Sequence, residues 1–162
     1  MQKVGFIGLG AMGRPMASNV LKAGYELTVF DVVKTAVEQM AEQGAKTAST
    51  PREVAERCDV VLISLPNAKI VEAVMTGEDG LLAGAHKGQI FIDLSSVTPE
   101  HTRRMAKLAE TKGVDYMDAP ISGGVAGATS GTLTIMVGGS ERALAQSQDI
   151  LQVIGKKIFH AG

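Results

Sequence analysis

Short apolar runs alternate with longer stretches of helical spacing along the whole chain. The runs are Val4–Ile7, Leu27–Phe30, Lys46–Ala48, Val60–Ser64, Ile90–Asp93 and Val114–Asp118, with Leu133–Val137 and Lys157–His160 near the end. All are too short for helices, and most are rich in Val, Ile, Leu or Phe, the composition of strands buried on both faces. The intervening segments predict helices over Ala11–Ala23, Thr35–Gln43, Pro51–Arg57, Lys69–Thr76, Pro99–Lys112 and Glu141–Ile154. Thr50 before Pro51 and Thr98 before Pro99 are helix starts, because a threonine hydroxyl accepts from the first turn and proline loses nothing there. Gly24 closes the first helix at the position that takes a left-handed backbone, and Pro15 falls in its first turn. Strand, helix, strand in regular succession is the pattern of βαβ units, which place parallel strands side by side under helices.

The bulk numbers leave this reading intact and remove others. A chain of 162 residues is one domain's worth, with no fixed-period repeat, low-complexity tract or linker before Ala161 and Gly162. Sixteen Lys and Arg against seventeen Asp and Glu generate no net field toward polyanions, so neither nucleic acid nor an anionic membrane surface is expected as a partner. The longest mid-chain apolar run, Val60 to Ile63, falls far short of the roughly 20 residues that span a bilayer. Only Met1, Gln2 and Lys3 precede the first strand, which leaves no room for a targeting peptide. The single cysteine, Cys58, has no internal partner, and a cytoplasmic location is expected. His86, His101 and His160 are scattered, and no metal site is expected from their spacing.

Chemistry enters with the glycines. The first strand runs into Gly8-Leu9-Gly10-Ala11-Met12-Gly13 and then into a helix. In such a loop the first glycine allows the tight turn, the second lets a pyrophosphate approach the backbone, and the third lets helix and strand pack closely. Free amides and the positive helix end then face the phosphates. Asp31 ends the second strand, close to the ~20-residue spacing at which a carboxylate meets the adenosine ribose. Capping the helix that begins near Lys34 is the alternative duty of Asp31. A carboxylate there repels a 2′-phosphate, and Val32 and Val33 supply no arginine to hold one, so NAD is favoured over NADP. The fold class that follows is α/β, a Rossmann-like doubly wound, mostly parallel sheet with helices on both faces, over residues 1–162.

The stretch from Phe6 to Asn19, with Met12, Pro15, Met16 and Asn19 beyond the three glycines, resembles the signature of the β-hydroxyacid dehydrogenases. That group contains 3-hydroxyisobutyrate dehydrogenase and tartronate semialdehyde (2-hydroxy-3-oxopropionate) reductase and is related to 6-phosphogluconate dehydrogenase. Asp118-Ala119-Pro120-Ile121-Ser122-Gly123-Gly124 and the stretch from Gly131 to Gly139 are similar to two further motifs of it. The resemblance implies that Leu65, Pro66 and Asn67 lie beside the cofactor and that Ser96 meets the nicotinamide ribose. It also implies that Ser122, Gly123 and Gly124 clamp the carboxylate of a small hydroxy acid or semialdehyde. The family's catalytic lysine stands on a helix of a second, all-helical domain, just past the segment matching His160-Ala161-Gly162. No catalytic residue is therefore assigned within these 162 residues, which are expected to bind NAD without turnover, and the full-length protein is expected to be a homo-oligomer. A stand-alone, non-catalytic dinucleotide-binding module is the alternative reading.

Overall fold

The structure, a computed structural model, describes residues 2–162. In chain order the elements are β1 Lys3–Ile7, α1 Gly13–Lys22, β2 Glu26–Phe30, α2 Lys34–Glu42, β3 Lys46–Thr47, α3 Pro51–Arg57, β4 Val60–Ile63, α4 Ala68–Thr76 and α5 Leu81–Gly84. There follow β5 Ile90–Asp93, α6 Pro99–Glu110, β6 Asp115–Asp118, β7 Ile121–Ser122, α7 Gly124–Ser130, β8 Leu133–Val137, α8 Glu141–Ile154 and β9 Gly155–His160. Six strands form one parallel sheet in the order β3-β2-β1-β4-β5-β6. The order reverses between β1 and β4, whose pairing runs from Val4 opposite Val60 to Ile7 opposite Ile63. Open sheets of this kind bind ligands at that reversal, outside the carboxyl ends of the strands.

Alternation along each strand sends side chains into two cores. Val4 and Phe6 of β1, Leu62 of β4 and Ile92 of β5 meet Met16, Ala17 and Val20 of α1 and Met40 of α2 on one face. Ile7, Val61, Ile63 and Phe91 meet Val54 of α3, Val71 and Met75 of α4 and Met105 of α6 on the other. Each fully buried Met, Val or Phe contributes about 1.5–3 kcal/mol of apolar transfer, so both helical layers are held by the sheet rather than by their own propensity. The helix starts behave as the sequence predicts: Thr50 Oγ1 accepts from the Glu53 amide at 3.2 Å and Thr98 Oγ1 from the His101 amide at 3.2 Å. Gly24 takes φ 97° just past α1.

The end of the chain departs from a single sheet. β8 and β9 do not extend the parallel sheet; with β7 they make a second, three-stranded sheet in which β7 and β8 are antiparallel and β8 and β9 parallel. Leu133, Ile135 and Val137 are buried while Met136 is exposed, so β8 is covered on one face only. The link between the sheets is a single antiparallel bridge of Asp118 with Gly138. Two short helices, α5 and α7, lie where the sequence reading assigned no element, and α1 begins at Gly13 rather than Ala11 because residues 11 and 12 complete the turn out of β1. No helix among the described residues is long and apolar enough to cross a membrane.

Candidate functional site

The three loop glycines differ in what surrounds them. At Gly8, φ is +98° and a Cβ would stand 1.9 Å from the Ser64 carbonyl oxygen, so the turn out of β1 lies flush against the end of β4. At Gly13 a Cβ would stand 1.9 Å from the Gly8 carbonyl oxygen, which brings the first turn of α1 directly over the loop. Gly10 is different: a Cβ there would meet nothing within 4 Å. The fold demands two of these missing side chains and leaves the third open.

Gly10 borders a cleft of about 480 Å³ bounded by the ends of β1, β2 and β4. Gly8, Gly10, Ala11, Met12 and Gly13 form its floor, Asp31 one side, and Leu65 and Pro66 another. Leu9 itself turns inward and is buried, so only its backbone belongs to the loop surface. No side chain caps the first turn of α1 and no acidic residue stands in it. By contrast, Thr50, Asn67, Thr98 and Ser140 cap α3, α4, α6 and α8. The α1 end thus keeps its positive partial charge turned toward the cleft.

Asp31 does not cap α2, whose N-cap is Val33 and carries no side-chain cap; it ties two backbone segments together instead. Its Oδ1 accepts from the Val33 amide at 2.8 Å, bracing the turn into α2, and its Oδ2 accepts from the Leu9 amide at 2.6 Å, bracing the glycine loop. Each carboxylate oxygen has a second lone pair, so these bonds leave capacity for hydroxyl donors from the cleft. The sequence reading missed the walls of the cleft. Val32, 86% exposed, Val33 and Ile70 are large apolar side chains left open to solvent along its rim. The signal was available, since Val32 and Val33 lie past the end of β2, where burial already gives way at Phe30 and Asp31.

A family model described as the NAD binding domain of 6-phosphogluconate dehydrogenase matches residues 3–162. The chain belongs to that family. It is an NAD-binding domain, with the open parallel sheet described above. It is 51% identical over 160 residues to 2-(hydroxymethyl)glutarate dehydrogenase of Eubacterium barkeri, covering 99% of this chain and 53% of that protein. With 3-hydroxyisobutyrate dehydrogenase of Pseudomonas aeruginosa the identity is 44%, over 100% of this chain and 54% of the relative. A solved Mycobacterium tuberculosis 3-hydroxyisobutyrate dehydrogenase with L-serine superposes with a TM-score of 0.94 at 37% identity, covering 100% of this chain and 55% of that one. The chain spans about half the length of the curated relatives it matches.

The remaining predicted positions of the NAD-binding domain lie outside the cleft walls just described. Asn67 caps α4, its Oδ1 accepting from the Ile70 amide at 3.0 Å. Ser96 is exposed in the loop after β5. Ser122 ends β7, while Gly123, at φ 136°, and Gly124, at φ 64°, turn the chain into α7. Asn19, whose purpose the glycine pattern does not explain, spans the two sheets' helices: its Nδ2 donates to the Ala128 and Thr129 carbonyls at 2.9 and 3.2 Å, closing the end of α7 onto α1. Behind the loops lies a buried polar group. The Tyr116 hydroxyl donates to Asp93 Oδ2 at 2.7 Å, and burial, then the Asp93 charge, push the tyrosine well above its ordinary pKa. Asp118 is half-buried nearby, and burial followed by the same charge raise its carboxyl to about 6.

Proposed function

We propose that this domain holds NAD as the cofactor half of a longer 3-hydroxy acid dehydrogenase. One observation carries the reading: the fold itself needs no glycine at Gly10, where a Cβ would meet nothing within 4 Å, yet Gly10 stands in the lining of the cleft at the mouth of an uncapped helix. The backbone amides of residues 10–13 would receive the pyrophosphate, and Val32, Val33 and Ile70 would bracket the adenine. Asp31 would accept from both hydroxyls of the adenosine ribose. A 2′-phosphate about 5 Å from this carboxylate, at an effective dielectric near 20, costs about 3 kcal/mol of repulsion, roughly a hundredfold in affinity. Calorimetry of the chain with NADH and NADPH checks this: NADH should bind about a hundredfold tighter, and equal affinities would remove Asp31 from the argument.

The bound nicotinamide supplies a hydride acceptor; the protein's part is to hold its partner at the right place. Leu65-Pro66-Asn67 and Ser96, on the loops after β4 and β5, would line the nicotinamide half, and Ser122, Gly123 and Gly124 would present a hydroxyl and amides to the substrate carboxylate. The relatives' names suggest the substrate class, because 2-(hydroxymethyl)glutarate, L-serine and 3-hydroxyisobutyrate all carry a hydroxymethyl group on the carbon bearing a carboxylate. The glycerate formed by a tartronate semialdehyde reductase shares it. The general acid or base would be a lysine from a helical domain following Gly162, which would also exclude water from the site. Assaying the full-length gene product against these four acids decides among them. Activity confined to 2-hydroxy acids that lack a hydroxymethyl group would sink the class. The 162 residues alone should bind cofactor and turn over none.

A further inference from the structure

Asp93 at the end of β5 is fully buried, and the cofactor reading leaves it without a task. Its Oδ2 takes the Tyr116 hydroxyl of β6 at 2.7 Å, and its Oδ1 takes the backbone amide of Ser95 at 2.9 Å. Ser95 is buried in turn, and its Oγ accepts from the Leu65 amide at 2.9 Å. The regular pairing between these strands ends one step earlier, where the Leu94 amide donates to the Ile63 carbonyl at 2.8 Å. Past that point the loops after β4 and β5 are joined by the Ser95 hydroxyl rather than by a ladder.

A buried carboxylate is costly, and an apolar residue of similar volume commonly serves stability as well or better. What the carboxylate provides here is direction: it fixes the backbone of Ser95, which fixes the backbone of Leu65. We propose that Asp93 and Ser95 are positioning residues that hold the loops of Leu65-Pro66-Asn67 and Ser96 in register for the nicotinamide half of the cofactor. Neither need touch the ligand. The proposal rests on the cofactor reading above, in which the adenosine half sits on β1 and β2 and the nicotinamide half on β4 and β5.

The test compares two ligands on the same chain. Wild type, Ser95→Ala and Asp93→Asn are titrated with NADH and with ADP, which reaches only the adenosine side, and amide exchange at Leu65 is followed. Ser95→Ala deletes one oxygen and nothing else, so it keeps the test valid if Asp93→Asn folds poorly. Expected is a roughly tenfold loss for NADH, the scale of one lost hydrogen bond, with ADP unchanged within about twofold and faster exchange at Leu65. Equal weakening of both ligands, or no change in either, overturns the proposal. Wild-type protein that binds neither NADH nor ADP defeats the cofactor reading first, and this inference with it.

Discussion

Replacing Gly10 with alanine should separate binding from folding. The new Cβ meets no atom within 4 Å, and the backbone at residue 10 is not in the left-handed region. Strain is therefore absent, and loss of chain entropy in the unfolded state should leave stability level or raise it by up to about 1 kcal/mol. Gly13→Ala is the opposite case: its Cβ lies 1.9 Å from the Gly8 carbonyl oxygen, so the loop and α1 must move apart. Overpacking of that kind costs about 1–3 kcal/mol, and at about 2–4 °C per kcal/mol for a domain of this size the melting temperature should fall by about 2–12 °C. For NADH the order reverses in kind. Gly10→Ala puts a methyl group where a phosphate must approach the amides, and a loss of at least a hundredfold, or about 2.7 kcal/mol, is expected. Thermal melting of both variants, with NADH fluorescence titration of Gly10→Ala, reads out the contrast. Wild-type NADH affinity in Gly10→Ala, or a melting temperature lowered as far as in Gly13→Ala, refutes the assignment of that glycine to the ligand.

Three other consequences can be measured on the same chain. Asn19→Ala removes two hydrogen bonds to the end of α7 and should cost about 1–3 kcal/mol in a urea titration; an unchanged midpoint would show that α7 does not depend on α1. Asp118, raised to about 6 from 3.8, favours the folded state most when protonated, so its contribution is present below about pH 4 and lost as the pH rises through 6. Asp118→Asn should accordingly gain stability relative to wild type across that window, and a constant difference between them would contradict the assigned cause. Cys58 is buried and its thiol pushed up to about 11, chiefly by desolvation; a thiol reagent at pH 8 should label it only after denaturation, and rapid labelling of native protein would count against its burial.

The first sheet was legible because its strands carry their own evidence. Val60-Val61-Leu62-Ile63 is buried at every position, and a continuous apolar run bounded by turns reads as a strand covered on both sides. Thr50 and Thr98 announced helices by the same chemistry that caps them. The second sheet was not legible as separate, because pairing partners are not written in a strand's own residues. One trace of it was: Leu133-Thr134-Ile135-Met136-Val137 alternates, unlike β1, β4 and β5, and alternation is the mark of one wet face. Helix α7 was hidden by its composition, Gly124-Val125-Ala126-Gly127-Ala128-Thr129-Ser130, in which two glycines, a valine, a threonine and a serine outweigh the two alanines and no polar stripe appears. In the site, Gly8, Gly10 and Gly13 were found as a group, but their different duties required neighbours far along the chain. The link from Asp93 through Ser95 to Leu65 joins the ends of β5 and β4, which lie some thirty residues apart in the chain, and that pairing has no local signature.

The close approach of Gly8 to the Ser64 carbonyl has a consequence for the order of events during synthesis. β1 leaves the ribosome before the other five strands of its sheet, yet it lies in the middle of that sheet, and one of its two neighbours is β4. A nascent chain that has exposed only β1, α1 and β2 already displays the glycine loop but lacks the carbonyl wall that fixes its turn. Cofactor capture should therefore switch on only after residue 64 has cleared the exit tunnel, and a stalled shorter product should show no protection by NADH.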